Sequence, residues 1–547
     1  MRHTYNDVIR STTRDYLQKI QKNNPPTPDV IEEEILDQTA SAIRMENSIR
    51  EKGEKWKIPQ KLEFSQIADI MSYLYPIYTV CTSTESEERR YDLLAIYQTS
   101  GKNEGIYVTD EEEFRSIARQ YNYSLSTREF TEIMNTLRNS VPRVKRTRDK
   151  NLIAVNNGIF DYDTKTLMPF DPKYVFLSKS TVNYNPNAKN VVIHNPNDGT
   201  DWDVESWIKT LSNDPDVQLL LWQMIGAIIR PNVSWNKSGW FYSESGNNGK
   251  GTLCELMRQI CGESNYASIP LSDMGKDFAL EPLVRASAII VDENDVGTFI
   301  DKAANLKAII TGDTIAITRK FKMNIKYRFR GFMIQCLNEM PRVKDKSDSF
   351  FRRQLFVPFP NSFKGIERKY IKDDYLHRTE VLEYVLYKVL NMDYYELIEP
   401  EICKSALEEY KEFNNPIKQF AQDILPQAKW DLLPYSFLYD LYKSWFERNR
   451  PSGTIQSSMT FKKDLYSIVN DNFPEWQGAD RDARIRPGLR MSETEPMIEE
   501  YDLKDWMNPR YKQSGRAELV GKCTLPDYLL KDKYQGLLRV TSTQSDT

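Results

Sequence analysis

The chain has no stretch of about 18 uninterrupted apolar residues, which excludes a membrane-spanning helix. Its opening residues, MRHTYNDVIRSTTRDYLQKI, contain no apolar h-region. No secretory signal is therefore expected, and a cytoplasmic protein without a membrane partner is. Six cysteines are scattered (Cys81, Cys254, Cys261, Cys336, Cys403, Cys523), none forms C-x-x-C, and there are only three histidines. A zinc site, a disulfide framework and a Ser-His-Asp or Cys-His centre are all poorly supplied, and reduced, buried thiols are the expectation. Net positive charge is also missing, with 74 Lys and Arg against 78 Asp and Glu, a balance of −4. The field of the whole chain does not attract nucleic acid, so any such contact must come from local basic clusters or a channel. Neither an internal repeat nor a long low-complexity tract is present.

A length of 547 residues implies several domains, and 40% hydrophobic with 28% charged residues is ordinary for globular protein. The expected fold class is multidomain α/β with a central P-loop core. Residues 1–85 read as a helical region, broken by NNPPTP at 23–28. Residues 86–204 read as α+β: strand, glycine turn, strand, a helix capped by Thr109 or Asp110, a second helix over 126–141, then strands around Asn-Gly and Asp-x-Asp turns. The cluster RVKRTR at 143–148 reads as a solvated turn, with a nucleic-acid contact as the sharper alternative. Residues 205–365 alternate buried apolar runs with helical segments, 366–428 read as a helical connection, and 429–547 suit a winged-helix-like module.

SGWFY (238–242), then SESGNNGKGT, then LCELMRQIC gives strand, glycine-rich loop and helix. That is the context a phosphate loop requires, since backbone N–H groups and a helix N-terminus face the phosphates. The candidate ATP-binding residues are Gly246, Asn247, Asn248, Gly249, Lys250, Gly251 and Thr252. Lys250 supplies a point charge, and Gly246 and Gly249 are expected to give angles and approach that side chains would block. The loop departs from G-x-x-x-x-G-K-[ST] twice. Glu244 stands where the first glycine belongs, and Gly251 follows the lysine, so the hydroxyl comes late at Thr252. A glycine-rich turn is the alternative. SAIIVDEND ends a buried strand in Asp292 and Glu293, 42 residues after Lys250 for Asp292. Asp292 is placed to hold Mg²⁺ and Glu293 to polarise water. GFMIQCLNEMP reads as a further strand ending at Asn338, whose amide could orient that water. DSFFRRQLFVPFP then offers Arg352 and Arg353 to stabilise transferred-phosphoryl charge.

The order of the phosphate loop, the strand ending Asp-Glu and LKAIITGDTIAITRKFKMNIKYRFRGFMIQCLNEMPRVKDKSDSFFRRQLFVPF resembles the superfamily 3 helicases. It is similar in particular to poxvirus-type primase-helicases of phages, plasmids and mobile genomic islands, including staphylococcal cassette and pathogenicity-island elements. The resemblance spans about 90–360 well and 360–547 loosely. It implies an AAA+ core, a homo-hexameric ring and 3′→5′ movement along one DNA strand during replication of a mobile element, with ATP and Mg²⁺ as cofactors. By match, Lys250 and Thr252 face phosphate and metal, with Thr252 and Asp292 on the metal. Glu293 is then the water carboxylate and Asn338 the sensor. Arg353 is the trans-acting finger, with Arg352 its rival.

Between Asp313 and Asn338, two strands read around a tip near KMN. This stretch holds Arg319, Lys320, Lys322, Lys326, Arg328 and Arg330 in an otherwise acidic chain. In the resembling helicases a hairpin here enters the ring channel. Lys322, then Lys320, Arg319 and Lys326, are the expected contacts to single-stranded DNA, since tip cations hold backbone phosphates without reading sequence. A primase domain is not expected, because residues 1–90 are too short and too helical. Any primase or polymerase partner is left open, as is origin-duplex binding through the C-terminal module. The alternative to a helicase is an origin-binding initiator or a protein-remodelling ATPase.

Overall fold

The computed structural model describes residues 3–81, 89–320, 322–449, 455–478, 485–491, 493–506 and 531–540. The chain divides into two compact units, Met1–Leu407 and Glu408–Thr547.

The first unit begins with helices Tyr5–Leu17, Pro28–Ser48 and Phe64–Leu74. Pro28 sits in the first turn of its helix, where the missing N–H costs nothing. A four-stranded sheet comes next, in the order Tyr107–Val108, Leu93–Tyr97, Ile77–Cys81, Arg143–Lys145. Its last pairing is parallel and joins Val80 to Val144. A boundary near 85 would therefore cut this sheet, and residues 1–85 are not a separate domain from the α+β segment after them. Asp110 caps the helix Glu111–Tyr121 through Glu112 N at 3.2 Å, and Ser126 with Glu129 forms a capping box on Thr127–Ser140.

The centre of the unit is a parallel five-stranded sheet. Its strands are β1 (Ser238–Tyr242), β2 (Tyr266–Ala267), β3 (Ala288–Val291), β4 (Phe332–Leu337) and β5 (Gln354–Pro358). The order across the sheet is β2-β3-β4-β1-β5, and every pairing is parallel. β3 and β4 are buried at every residue, as a sheet covered on both faces demands. Helices Val204–Leu211, Pro215–Ala227, Lys250–Cys261 and Thr379–Leu390 supply the cover, and Trp207, Leu221, Leu253 and Val385 share one core with Ile290, Ile334 and Val357. That core reaches Cys403, so most of the segment expected as a connection at 366–428 belongs to this unit and the division falls at 407/408.

The connection leaving β1 runs toward the β2 edge, while the one leaving β4 passes β1 to reach β5. Loops departing in opposite directions open a crevice between the carboxyl ends of β1 and β4, where open α/β sheets bind ligands.

The second unit holds helices Pro416–Ile424, Tyr435–Asn449 and Ser458–Asn472. An antiparallel sheet runs Leu432–Pro434, Gly536–Arg539, Trp476–Gly478. Phe420, Trp430, Phe437, Tyr442 and Phe461 dominate its core. Buried Glu495 accepts from Lys429 N at 2.8 Å and Trp430 N at 3.0 Å. Among the described residues, Cys81, Cys254, Cys261, Cys336 and Cys403 form no disulfide and are buried. Among the described residues, no helix is long and apolar enough to cross a membrane.

Candidate nucleotide site

The glycine-rich loop leaves β1 and enters the helix Lys250–Cys261, whose N-cap is Gly249. Gly249 has φ +86°, and a Cβ there would lie 2.5 Å from Leu211 Cδ2. This glycine is required on both counts. Gly246 is different: its φ is not left-handed and an added Cβ would meet nothing within 4 Å. Asn247 takes the left-handed conformation instead, at φ +57°. Its Nδ2 donates to Glu367 Oε1 at 2.8 Å and its carbonyl accepts from Phe363 N at 2.7 Å. Asn248 braces the turn by donating to the Ser245 carbonyl. Gly249→Ala is expected to destabilise the first unit by about 1–2 kcal/mol, the usual penalty for a left-handed L-residue. Gly246→Ala is expected to leave stability within about 0.5 kcal/mol. Denaturant unfolding of both variants checks the contrast.

Lys250 is buried at the crevice between β1 and β4. Its Nζ donates to Ser243 O at 3.2 Å, Leu337 O at 3.0 Å and Asn338 Oδ1 at 2.9 Å. All three acceptors are neutral oxygens, and among the described residues no carboxylate is its partner. Burial pushes the ammonium below the ordinary lysine range, with Cys336 and Cys254 opposing weakly. Lys250 and Asn338 are thus brought together, from residues 88 positions apart in sequence.

Asp292 and Glu293 come directly after β3 and are exposed. Asp292 meets Arg258 of the loop helix, at 2.8 Å from Oδ1 to Nη2 and 3.2 Å from Oδ2 to Nη1. The hydrogen bond from Arg258 is the main cause that holds this carboxyl below its usual range, against the opposing effect of burial. Arg258 was not legible as a partner, because the pairing is set by how the helix lies on the sheet. Asn294 is a further residue that sequence reasoning missed. It is buried and donates to Gln335 Oε1 at 2.9 Å and Cys336 O at 3.0 Å, while accepting from Leu271 N at 2.9 Å. It fixes the turn that presents Asp292 and Glu293, and its position after an Asp-Glu pair gave no sign of burial.

Thr252 lines a cavity of about 720 Å³ with Asn247, Gly249, Trp207, Phe363 and Lys372. Asp292 is not among the residues that line this cavity. Glu244 accepts from Tyr242 Oη at 2.9 Å, and among the described residues it forms no ion pair. Gly251 has open space around it.

The arginine pair sits at the opposite end of the sheet. Arg353 O accepts from Ser238 N, the first residue of β1, at 2.8 Å. Five residues of β1 at about 3.3 Å each separate that edge from the loop by roughly 16 Å. Arg353 Nη1 donates to the Ser349 carbonyl and to Ser349 Oγ. Arg352 is exposed.

The basic hairpin consists of strands Thr314–Arg319 and Lys322–Arg328, paired antiparallel. One face packs through Ile315, Ile317, Ile325 and Tyr327, and Lys326 is exposed on the other. Lys320 is exposed in the turn, whereas Arg319 Nε lies 3.4 Å from Glu281 Oε1. The Lys322 side chain lies outside the described residues.

Three family models match this chain. D5 N terminal like matches 29–213, and Poxvirus D5 protein-like matches 412–508. The chain carries D5-like domains. Between them, a family of unknown function, DUF5906, matches 241–353, from the end of β1 to Arg353. Among solved structures, one apo form of the NrS-1 C-terminal region has 14% identity and a TM-score of 0.36, with 72% of this chain and 82% of that one covered. A second has 14% identity and a TM-score of 0.39, covering 82% and 94%. A third has 13% identity and a TM-score of 0.38, covering 75% and 90%. D5-like domains support a role in DNA replication.

Proposed function

We propose that the chain is an ATP-dependent DNA helicase whose central sheet is an AAA+ core of the superfamily 3 type, working as a homo-hexamer with 3′→5′ polarity to replicate a mobile element. The observation that carries this reading is Lys250: a buried ammonium, with no carboxylate partner among the described residues, at the carboxyl ends of β1 and β4. A cation kept desolvated among neutral oxygens is poised for an anion, and the adjoining loop and helix N-terminus suit phosphate.

The residues fit ATP and Mg²⁺. Gly249 and the loop backbone would cradle phosphates, Lys250 would meet the β/γ oxygens, and the 720 Å³ cavity beside the loop would take the nucleoside between Trp207 and Phe363. Asp292, charged at neutral pH, would hold Mg²⁺, with Thr252 as the candidate hydroxyl. Bound Mg²⁺ would neutralise charge on the transferred phosphoryl group. Glu293 would orient water and Asn338 would sense the γ-phosphate through its contact to Lys250. Arg352, exposed and remote from its own loop, is a better candidate than Arg353 for reaching a neighbour's nucleotide. Lys320, Lys322 and Lys326 on the hairpin would hold the strand.

Among the described residues, the order of the second unit's longer elements (helix, strand, helix, helix, strand, strand, with the four-residue helix Met497–Glu500 between the last two strands) supports a winged-helix reading and an added contact to origin duplex. ATP hydrolysis measured with and without single-stranded DNA tests the proposal. Stimulation of several-fold is expected, and hydrolysis indifferent to DNA would favour a remodelling ATPase.

A further inference from the structure

Residues 143–148 leave the N-terminal sheet as the strand Arg143–Lys145 and continue to the base of the hairpin. There Arg146 Nη1 donates to Tyr327 Oη at 2.7 Å, and its guanidinium lies 5.7 Å from the centre of that ring. Tyr327 is buried and donates in turn to Val284 O at 3.2 Å. Arg146 is thereby fixed rather than free to swing into water. Arg328 Nε donates to Thr314 Oγ1 at 2.9 Å, which fixes a second guanidinium on the hairpin strand. Arg330 lies two residues beyond and is half-buried, while Arg148 is exposed.

The charges acting most on Arg330 are Arg148, Arg146 and Arg328, in that order. All three, after burial itself, push it below the ordinary arginine range, and only Tyr327 opposes them. No carboxylate is among them. Among the described residues, no hydrogen bond or ion pair engages the guanidinium of Arg148 or Arg330. Like charges held together at a half-buried place repel, and the fold retains them here in a chain of net negative charge.

We infer that Arg146, Arg148, Arg328 and Arg330 form a phosphate-backbone site for a nucleic-acid strand at the base of the hairpin, distinct from the lysines toward its tip. The inference rests on the DNA-binding part of the proposed function. A phosphodiester chain supplies evenly spaced anions without requiring base contacts, and arginine forks suit phosphate oxygens. The site joins the N-terminal sheet to the hairpin, so a bound strand would touch both.

The test is binding of a fluorescent single-stranded oligodeoxythymidine to the full chain, across a salt series. Arg148→Glu is a surface change that leaves the fold intact. Arg148→Ala with Arg330→Gln removes two cations. Each variant is expected to weaken binding at least about tenfold, and the double variant to reduce the salt slope by about 1–2. ATP hydrolysis without DNA should stay at the wild-type rate in Arg148→Glu. Unchanged affinity and slope in both variants would overturn the site while leaving the helicase reading intact. Wild-type protein that hydrolyses ATP but fails to bind the strand would overturn both DNA assignments and keep the nucleotide site. An acidic peptide of equal charge that displaces the strand at equal concentration would overturn the choice of nucleic acid.

Discussion

Lys250→Ala is expected to lower ATP turnover by about 10²–10³-fold, the loss typical of removing one preorganised donor from developing charge. Stability should change little, because two effects oppose each other. Removing the side chain takes the donor from the buried Ser243 O, which costs about 1–3 kcal/mol, while Leu337 O keeps the Ser243 N–H and Asn338 is exposed to water. It also removes an ammonium that burial disfavours. Initial rates of phosphate release, with thermal unfolding beside them, separate loss of chemistry from loss of fold. Turnover within threefold of wild type would remove Lys250 from the site.

Arg352→Ala is expected to lower turnover by about 10³-fold or more, the range for an arginine that stabilises phosphoryl-transfer charge from a neighbouring subunit. The side chain is exposed at the edge of the sheet far from its own loop, so a role within one subunit has no geometric route. Arg353→Ala should act differently. Its guanidinium is tied to Ser349, and its loss should lower stability before it lowers turnover. Mixing Arg352→Ala with Lys250→Ala subunits gives the decisive comparison. An intact loop from one and an intact arginine from the other can then meet at a shared boundary, and hydrolysis should partly recover. Mixtures as inactive as either parent would rule out a role for Arg352 across the subunit boundary.

The elements around the site were legible where local signals are strong. SGWFY, the loop and LCELMRQIC fall on β1 and the helix Lys250–Cys261. SAIIV and FMIQCL fall on strands buried on both faces, whose continuous apolar runs carry that information directly. The hairpin is legible from alternation, with Ile315, Ile317, Ile325 and Tyr327 packed on one face.

The features that were not legible depend on contacts between distant segments. The pairing of Val80 with Val144 makes residues before and after 85 one sheet, and no composition change marks it. The pairing of Arg258 with Asp292 and the burial of Asn294 require knowing which strand lies beside which. The backbone roles within the loop were redistributed. A left-handed residue was expected at glycine, yet Asn247 adopts one while Gly246 does not, which short polar side chains permit. RVKRTR carried the sharper meaning only once the fold brought Arg146 against Tyr327, 181 residues away.

Strand displacement tests the central claim most directly. A labelled fork with a 3′ single-stranded tail, incubated with the full chain, ATP and Mg²⁺, should be unwound. The same fork with only a 5′ tail should persist, and Lys250→Ala should release no strand from either. Unwinding by Lys250→Ala, or vigorous ATP hydrolysis by the wild type with neither fork opened, would contradict the account.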